Sequence, residues 1–286
     1  MTNQLSNGEQ FSQINGVELC VETFGDPADP AVLLIDGASA SMLWWEAGLC
    51  ARIADAGRFV IRYDNRDTGR STGYPLGQPG YSMTDLAEDA VGVLDFLGVE
   101  RAHVVGRSLG GAIASIVGVD HPERVRSLTF VSTSTGFGEL PPPSDEPAQA
   151  PAEPDLTDPV AVVDYIVEAA RAESGGSPYF DESAVRALIE HDVERMSNIA
   201  STLTNHFAME FTSPVRGDHG DIGVPTLVVH GDLDPVVPLP HGEALRAAIP
   251  GAELLVLSGV GHAVLPEVVW DVFVPALVEH TGGEST

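Results

Sequence analysis

AHVVGRSLGG, residues Ala102 to Gly111, decides how the rest of the chain is read. Ala102 to Gly106 is a short β-rich run. It passes straight into Gly106-Arg107-Ser108-Leu109-Gly110, a G-x-S-x-G, and a helical pattern leaves it to about Val119. The bare pattern is common. A strand entering it and a helix leaving it make it specific, because this is the setting in which a serine is held on a strained turn with its hydroxyl exposed. Small flanking residues are needed for the chain to fold back, hence Gly106 and Gly110, with Gly111 allowing close packing. The turn also puts Ser108 at a helix N-terminus, where free N–H groups and the dipole favour an oxyanion. The plainer alternative is a Gly-rich turn with a capping serine, and the flanking elements weigh against it.

Outward from this stretch, the rhythm is strand, turn, helix. Towards the N-terminus, Phe11 to Ile14 and Val17 to Thr23 flank Asn15-Gly16, a dipeptide suited to a two-residue hairpin turn. Ala31 to Asp36 (AVLLID) is a continuous apolar run of the kind buried on both faces of a parallel sheet. The pattern predicts a helix over Met42 to Ala56 and a strand over Arg58 to Asp64. An amphipathic helix is predicted over Ser82 to Leu97, with Ser82 and Asp85 as a capping box and Gly98 as its end. Towards the C-terminus, Ser127 to Ser132 is a strand. The rhythm then breaks at a Pro-, Ala- and acid-rich linker, Leu140 to Pro154. Asp158-Pro159 starts a series of helical patterns running to about Glu210. Strands return at Pro225 to Gly231 and Ala252 to Gly259, with helices over Pro240 to Ala248 and after Pro266. The expectation is an α/β fold with a mostly parallel sheet covered by helices on both faces. Residues 1–137 and 217–286 make the core, and a helical cap spans 138–216.

A serine hydroxyl needs a base. Of the nine histidines, eight have plain explanations. His103 opens a strand, His121 and His280 end helices, and His191 and His206 lie in the helical insertion. His219 is in a polar loop, His241 near a helix start, and His230 beside the turn Gly231-Asp232-Leu233-Asp234. His262 lies in SGVGHAV, after the last strand and before the last helix, at the sheet end where sites form. The orienting carboxylate comes from HGDLDPVVP, His230 to Pro238, which offers Asp232 and Asp234. The resulting order is Ser, Asp, His.

That order and those motifs resemble the α/β-hydrolase superfamily over nearly the whole chain. Within it, FGDPADPAVLLIDG, RYDNRDTGRST (Arg62 to Thr72), HVVGRSLGG, HGDLDPVVP and GVGHAVLP resemble the aclacinomycin-methylesterase-like bacterial esterases. The resemblance implies a fold of that class and a cofactor-independent serine esterase. Ser108 would be the nucleophile, His262 the base and Asp234 the acid, with Asp232 a turn residue. It also implies an oxyanion hole from the amides of Leu109 and Ala38. Asp36 stands where many relatives carry His. It reads as a solvated or hydrogen-bonded turn carboxylate, since a carboxylate pointing into the site would oppose oxyanion development. The stretch Asp64 to Ser71 has no phosphate-loop spacing. By resemblance it is a turn held by Asp64, Arg66 and Arg70. Trp44 and Trp45 are candidates for pocket lining or core. The same triad serves lactone, thioester or carbon–carbon bond hydrolysis and perhydrolysis, and some proteins of this fold are receptors. A nucleophilic serine argues against epoxide hydrolase and dehalogenase chemistry.

Composition bounds the core and the partners. Hydrophobic residues make up 43% of 286, enough for a sizeable core. Fourteen basic residues, all Arg, face 42 acidic ones, for a net charge of −28. Such a surface repels phosphate backbones and anionic lipid, so neither nucleic acid nor membrane is expected as a partner. Cys20 and Cys50 have no metal or redox spacing and read as buried thiols, with a disulfide between them as the alternative. No metal and no cofactor are expected. The polar start MTNQLSNGEQ does not read as a signal peptide, and no apolar run reaches membrane-spanning length, so the expected location is cytoplasmic.

Overall fold

Asn15 and Gly16 both have positive φ, 49° and 82°, which the tight turn between two antiparallel strands requires. They join β1 (Glu9–Ile14) to β2 (Val17–Phe24). The structure is a computed structural model, and it describes residues 8–136, 140–142, 153–209 and 218–282. After β2 the chain alternates as β3 (Ala31–Ile35), α1 (Ala47–Asp55), β4 (Phe59–Tyr63), α2 (Met83–Phe96), β5 (Ala102–Arg107), α3 (Leu109–Asp120) and β6 (Val125–Val131). Three helices follow without an intervening strand among the described residues: α4 (Pro159–Glu173), α5 (Glu182–Arg195) and α6 (Ile199–Ala208). The alternation resumes with β7 (Thr226–Gly231), α7 (Pro240–Ala248), β8 (Glu253–Leu257) and α8 (Trp270–His280).

The eight strands form one sheet in the order β1-β2-β4-β3-β5-β6-β7-β8. From β4 to β8 every pairing is parallel, while β1 and β2 are antiparallel additions at one edge. The continuous apolar runs are buried throughout, as strands covered on both faces must be. One apolar layer joins the sheet to α2, α3 and α7, and the other joins it to α1 and α8. β3 lies between β4 and β5, so the strand order reverses there. The loops leaving β3 and β5 diverge at that point and open a crevice at the carboxyl ends of the strands.

The expected capping box is present: Ser82 Oγ accepts from Asp85 N–H and the Asp85 carboxylate accepts from Ser82 N–H. Asp158 likewise caps α4 with Pro159 in its first turn. One predicted helix differs. Met42 to Ala56 is a short 3-10 turn over Met42–Trp44 and then α1 from Ala47. The buried Arg62 guanidinium takes the carbonyls of Met42 and Trp45, and Trp45 adopts ψ 84°, outside the helical region. The two tryptophans consequently diverge. Trp45 is in the core, and Trp44 faces the crevice. The linker Leu140 to Pro154 and the cap boundaries at 138 and 216 lie largely or wholly outside the described residues.

Candidate active site

The turn after β5 is sterically tight. Ser108 has φ 51° and ψ −117°, a left-handed backbone that a side-chain-bearing residue adopts only under constraint. Ser108 N–H donates to Val131 O at 3.0 Å, and Thr133 Oγ1 donates to Ser108 O at 2.8 Å. A Cβ on Gly106 would stand 2.1 Å from Gly110 O, and one on Gly110 would stand 2.3 Å from Ile35 O. Both glycines are therefore required by the close approach of backbone to backbone.

Three loops converge on this turn. His262 Nε2 is 3.0 Å from Ser108 Oγ, and His262 Nδ1 is 2.8 Å from Asp234 Oδ2. Asp234 Oδ1 accepts from the amides of Val236 (3.0 Å) and Val237 (2.7 Å), which fixes the carboxylate plane. His262 is buried to 9% exposure, and its own N–H donates to Glu173 O at 2.7 Å, tying the loop to the end of α4. Asp232 faces elsewhere. It accepts from Gly259 N–H (2.7 Å) and Ser258 Oγ (3.0 Å), as a turn residue does. His230 stands 3.8 Å from Asp234 Oδ2, but its Nε2 is 2.7 Å from Val237 O, and burial holds its pKa below the ordinary histidine range.

The amides after β3 sort themselves by their partners. Gly37 N–H donates to Asp36 Oδ1 (2.6 Å), Ser39 N–H to His206 Nδ1 (3.1 Å) and Ala40 N–H to Gly37 O (3.5 Å). Among the described residues Ala38 N–H has no acceptor. Leu109 is the first residue of α3, so its N–H has no acceptor within the helix. His206, from α6, is held by a contact of 2.9 Å between Nε2 and Arg66 O. It gives the loop a support that nothing in the linear sequence suggested.

Of the two expectations for Asp36, a solvated or a hydrogen-bonded turn carboxylate, the structure has the second. Asp36 is 1% exposed and paired with Arg107, whose Nε and Nη2 lie 2.9 and 2.7 Å from Oδ1. The cause is strand register: Ile35 lies opposite Gly106, which sets the next residues side by side. The Asp64 to Ser71 turn is built as expected at Asp64, which accepts from Met42 and Arg70 amides, and at Arg66, which pairs with Asp89. Arg70 is more exposed and pairs with Glu9.

A pocket of about 240 Å³ opens above Ser108 and His262. Its walls include Trp44 from the 3-10 turn after β3 and Tyr165, Ile166, Met196 and Phe207 from α4, α6 and the loop after α5. Two carboxyl groups in this wall were not singled out from sequence, Glu173 and Asp192. Burial raises the pKa of Glu173, against the pull of His262 and Arg107. Burial likewise pushes Asp192 up to about 6, although Ser41 and Trp44 hydrogen-bond to it. Cys20 and Cys50 are buried free thiols, pushed up to about 12 mainly by that burial. Among the described residues no cluster of His, Cys, Asp and Glu has the makings of a metal site, and no helix is long and apolar enough to cross a membrane.

Residues 30–175 match the α/β hydrolase fold family. The chain belongs to that family. Residues 205–268 also match the TAP-like protein family. The chain is 33% identical to rhodomycin D methylesterase DauP of Streptomyces sp. (strain C5), over 93% of this chain and 95% of that protein. It is 34% identical to rhodomycin D methylesterase DnrP of Streptomyces peucetius, with the same coverage of each. The enol-lactonase of Burkholderia xenovorans LB400 superposes with a TM-score of 0.75 at 22% identity, over 96% of this chain and 100% of that one, a likeness of fold.

Proposed function

We propose that this α/β-hydrolase is a cofactor-independent serine esterase of a small or medium-sized lipophilic substrate, working in the cytoplasm. The observation that carries the reading is the continuous hydrogen-bonded line from Ser108 Oγ through His262 to Asp234 at the floor of the pocket. Ser108 attacks the ester carbonyl while His262 Nε2 takes its proton. Asp234 holds Nδ1–H and stabilises the imidazolium. The negative charge growing on the carbonyl oxygen is met by the amides of Ala38 and Leu109. His262 then gives the proton to the departing alcohol, leaving an acyl group on Ser108, and an activated water releases the acid. Helices α4–α6, within a cap of 138–216, shape the substrate side of the pocket. The methylesterase relatives support a methyl ester as the first substrate to test.

The test is an organophosphonate probe with mass spectrometry, run beside a panel of esters, lactones and thioesters. One adduct on Ser108 is expected, with turnover of at least one ester. Ser108→Ala should lose both. Turnover retained in that variant refutes the mechanism, and turnover confined to lactones or thioesters moves the substrate class.

A further inference from the structure

Arg107 and Asp36 are not part of the proton line, yet both are buried beside it. Arg107 immediately precedes Ser108, and Asp36 opens the loop that carries the Ala38 amide. The guanidinium reaches three ways. Nε and Nη2 hold Asp36 Oδ1, which also accepts from Gly37 N–H. Nη1 donates to Ala263 O at 3.0 Å, in the loop of His262. The guanidinium lies 5.6 Å from the ring centroid of Trp44, in the pocket wall. One side chain therefore joins the Ser108 turn, the oxyanion loop and the His262 loop. Asp36 Oδ2 is buried with no hydrogen-bond partner among the described residues, so Arg107 is its neutralising neighbour.

We propose that Arg107 and Asp36 form a positioning pair that registers the oxyanion loop against the Ser108 turn and the His262 loop, with Arg107 cancelling the Asp36 charge beside the growing oxyanion. This rests on the serine-esterase reading above. Arginine suits the task because its planar fork donates in several fixed directions, whereas an ammonium is a point charge. A carboxylate left unpaired near the oxyanion hole would oppose the transition state more than the bound ester, since only the former carries the charge. The defect belongs in kcat.

Arg107→Met keeps the length and apolar stem while removing the charge. Asp36→Asn keeps an oxygen for Gly37 N–H and loses the charge. Arg107→Met should lower kcat about 10²-fold, the scale of a displaced catalytic group, with KM within about threefold of wild type. Asp36→Asn alone should cost less than about tenfold, because a neutral acceptor remains. The double variant should turn over at least about tenfold faster than Arg107→Met, because the uncancelled charge is gone. A purely structural role predicts the opposite, a double variant as slow as or slower than either single one. Thermal melting accompanies each variant. A folded Arg107→Met with wild-type kcat, or a double variant no faster than it, overturns the proposal. If Arg107→Met does not fold, Arg107→Lys decides. It keeps the charge and loses the fork, and should lower kcat by about tenfold with KM nearly unchanged; unchanged kcat overturns the proposal. Ser108→Ala in the same assay separates the two readings: activity surviving there refutes the serine mechanism and takes the pair's role with it.

Discussion

Asp234→Asn is the substitution whose consequence the geometry dictates most closely. The carboxylate uses both oxygens: Oδ1 accepts from two backbone amides, Val236 and Val237, and Oδ2 faces His262 Nδ1. An asparagine has one oxygen, and two N–H donors facing the Oδ1 position require it there. The NH2 group is then forced towards His262 Nδ1. Two donors cannot face each other, so the imidazole must adopt the tautomer with its hydrogen on Nε2, pointing at Ser108. That tautomer cannot accept the serine proton. The equivalent change in a serine protease costs about 10⁴ in turnover for this reason, which is about 5.5 kcal/mol of transition-state stabilisation. The assay is kcat on a chromogenic ester, with thermal melting to show an intact fold. Asp232→Asn is the internal control. Its carboxylate accepts from Ser258 Oγ and Gly259 N–H, away from His262, and the variant should keep kcat within about tenfold. The reasoning is refuted if Asp234→Asn keeps more than about a tenth of wild-type turnover, or if Asp232→Asn is the more damaging change.

Three further outcomes follow from the same structure. Gly110→Ala places a methyl group 2.3 Å from Ile35 O, which is backbone, so a loss of about 1–3 kcal/mol is expected in chemical denaturation together with loss of turnover. An unchanged midpoint would contradict the close approach. Ala38→Pro removes a loop amide that has no acceptor among the described residues and should lower kcat by about 10²–10³, while Ala38→Gly keeps most activity. A folded proline variant with wild-type kcat would exclude that amide as the donor. Asp192 has its pKa raised from 3.8 to about 6, so the folded state binds its proton more tightly than the unfolded chain does. That contribution is fully present below about pH 4 and is lost as pH rises through about 6, a difference of about 3 kcal/mol. Asp192→Asn can still accept from Trp44 Nε1. Its stability should fall less than that of wild type between about pH 4 and 7, and denaturation series across that range would show parallel declines if the idea is wrong.

What was legible in the sequence is what local chemistry dictates. The Asn15-Gly16 turn, the capping box at Ser82 and the glycines around Ser108 are set by sterics within a few residues, and each lies where the pattern put it. Ser108, Asp234 and His262 lie far apart in sequence, yet each follows a strand of one parallel sheet, and that sheet brings its strand ends together. What the sequence did not show depends on partners that no local pattern reveals. The Met42 to Ala56 helix breaks because Arg62, from another strand, takes its carbonyls. Glu173 and Asp192 look like ordinary helix carboxylates, and only the packing of α4 and α5 over the sheet turns them towards the pocket. The partner of Asp36 was not legible, because it is fixed by β3 lying beside β5, and strand order is not written in either strand. A faint signal did exist: Asp36 and Arg107 occupy the corresponding place at the end of two apolar runs.

Arginine use ties these observations together. The chain has no lysine, and several of its arginines lie in buried or largely buried pairs: Arg62 with Glu22, Arg66 with Asp89, Arg107 with Asp36, and Arg195 with Asp64. Such pairs add little net stability, since desolvation offsets much of the attraction. Their geometry is more informative. Arg195 comes from α5 and meets Asp64 at the end of β4, where that carboxylate already accepts from Met42 and Arg70 amides. Arg62 joins β4 to the turn bearing Trp44 and Trp45, and Arg66 joins the loop after β4 to α2. These pairs link loops and helices at the end of the sheet where Ser108 and His262 lie 3.0 Å apart. A guanidinium can satisfy a carboxylate and a carbonyl at once, so one side chain fixes two loops. A lysine at position 62 or 107 would hold the charge and release the second loop.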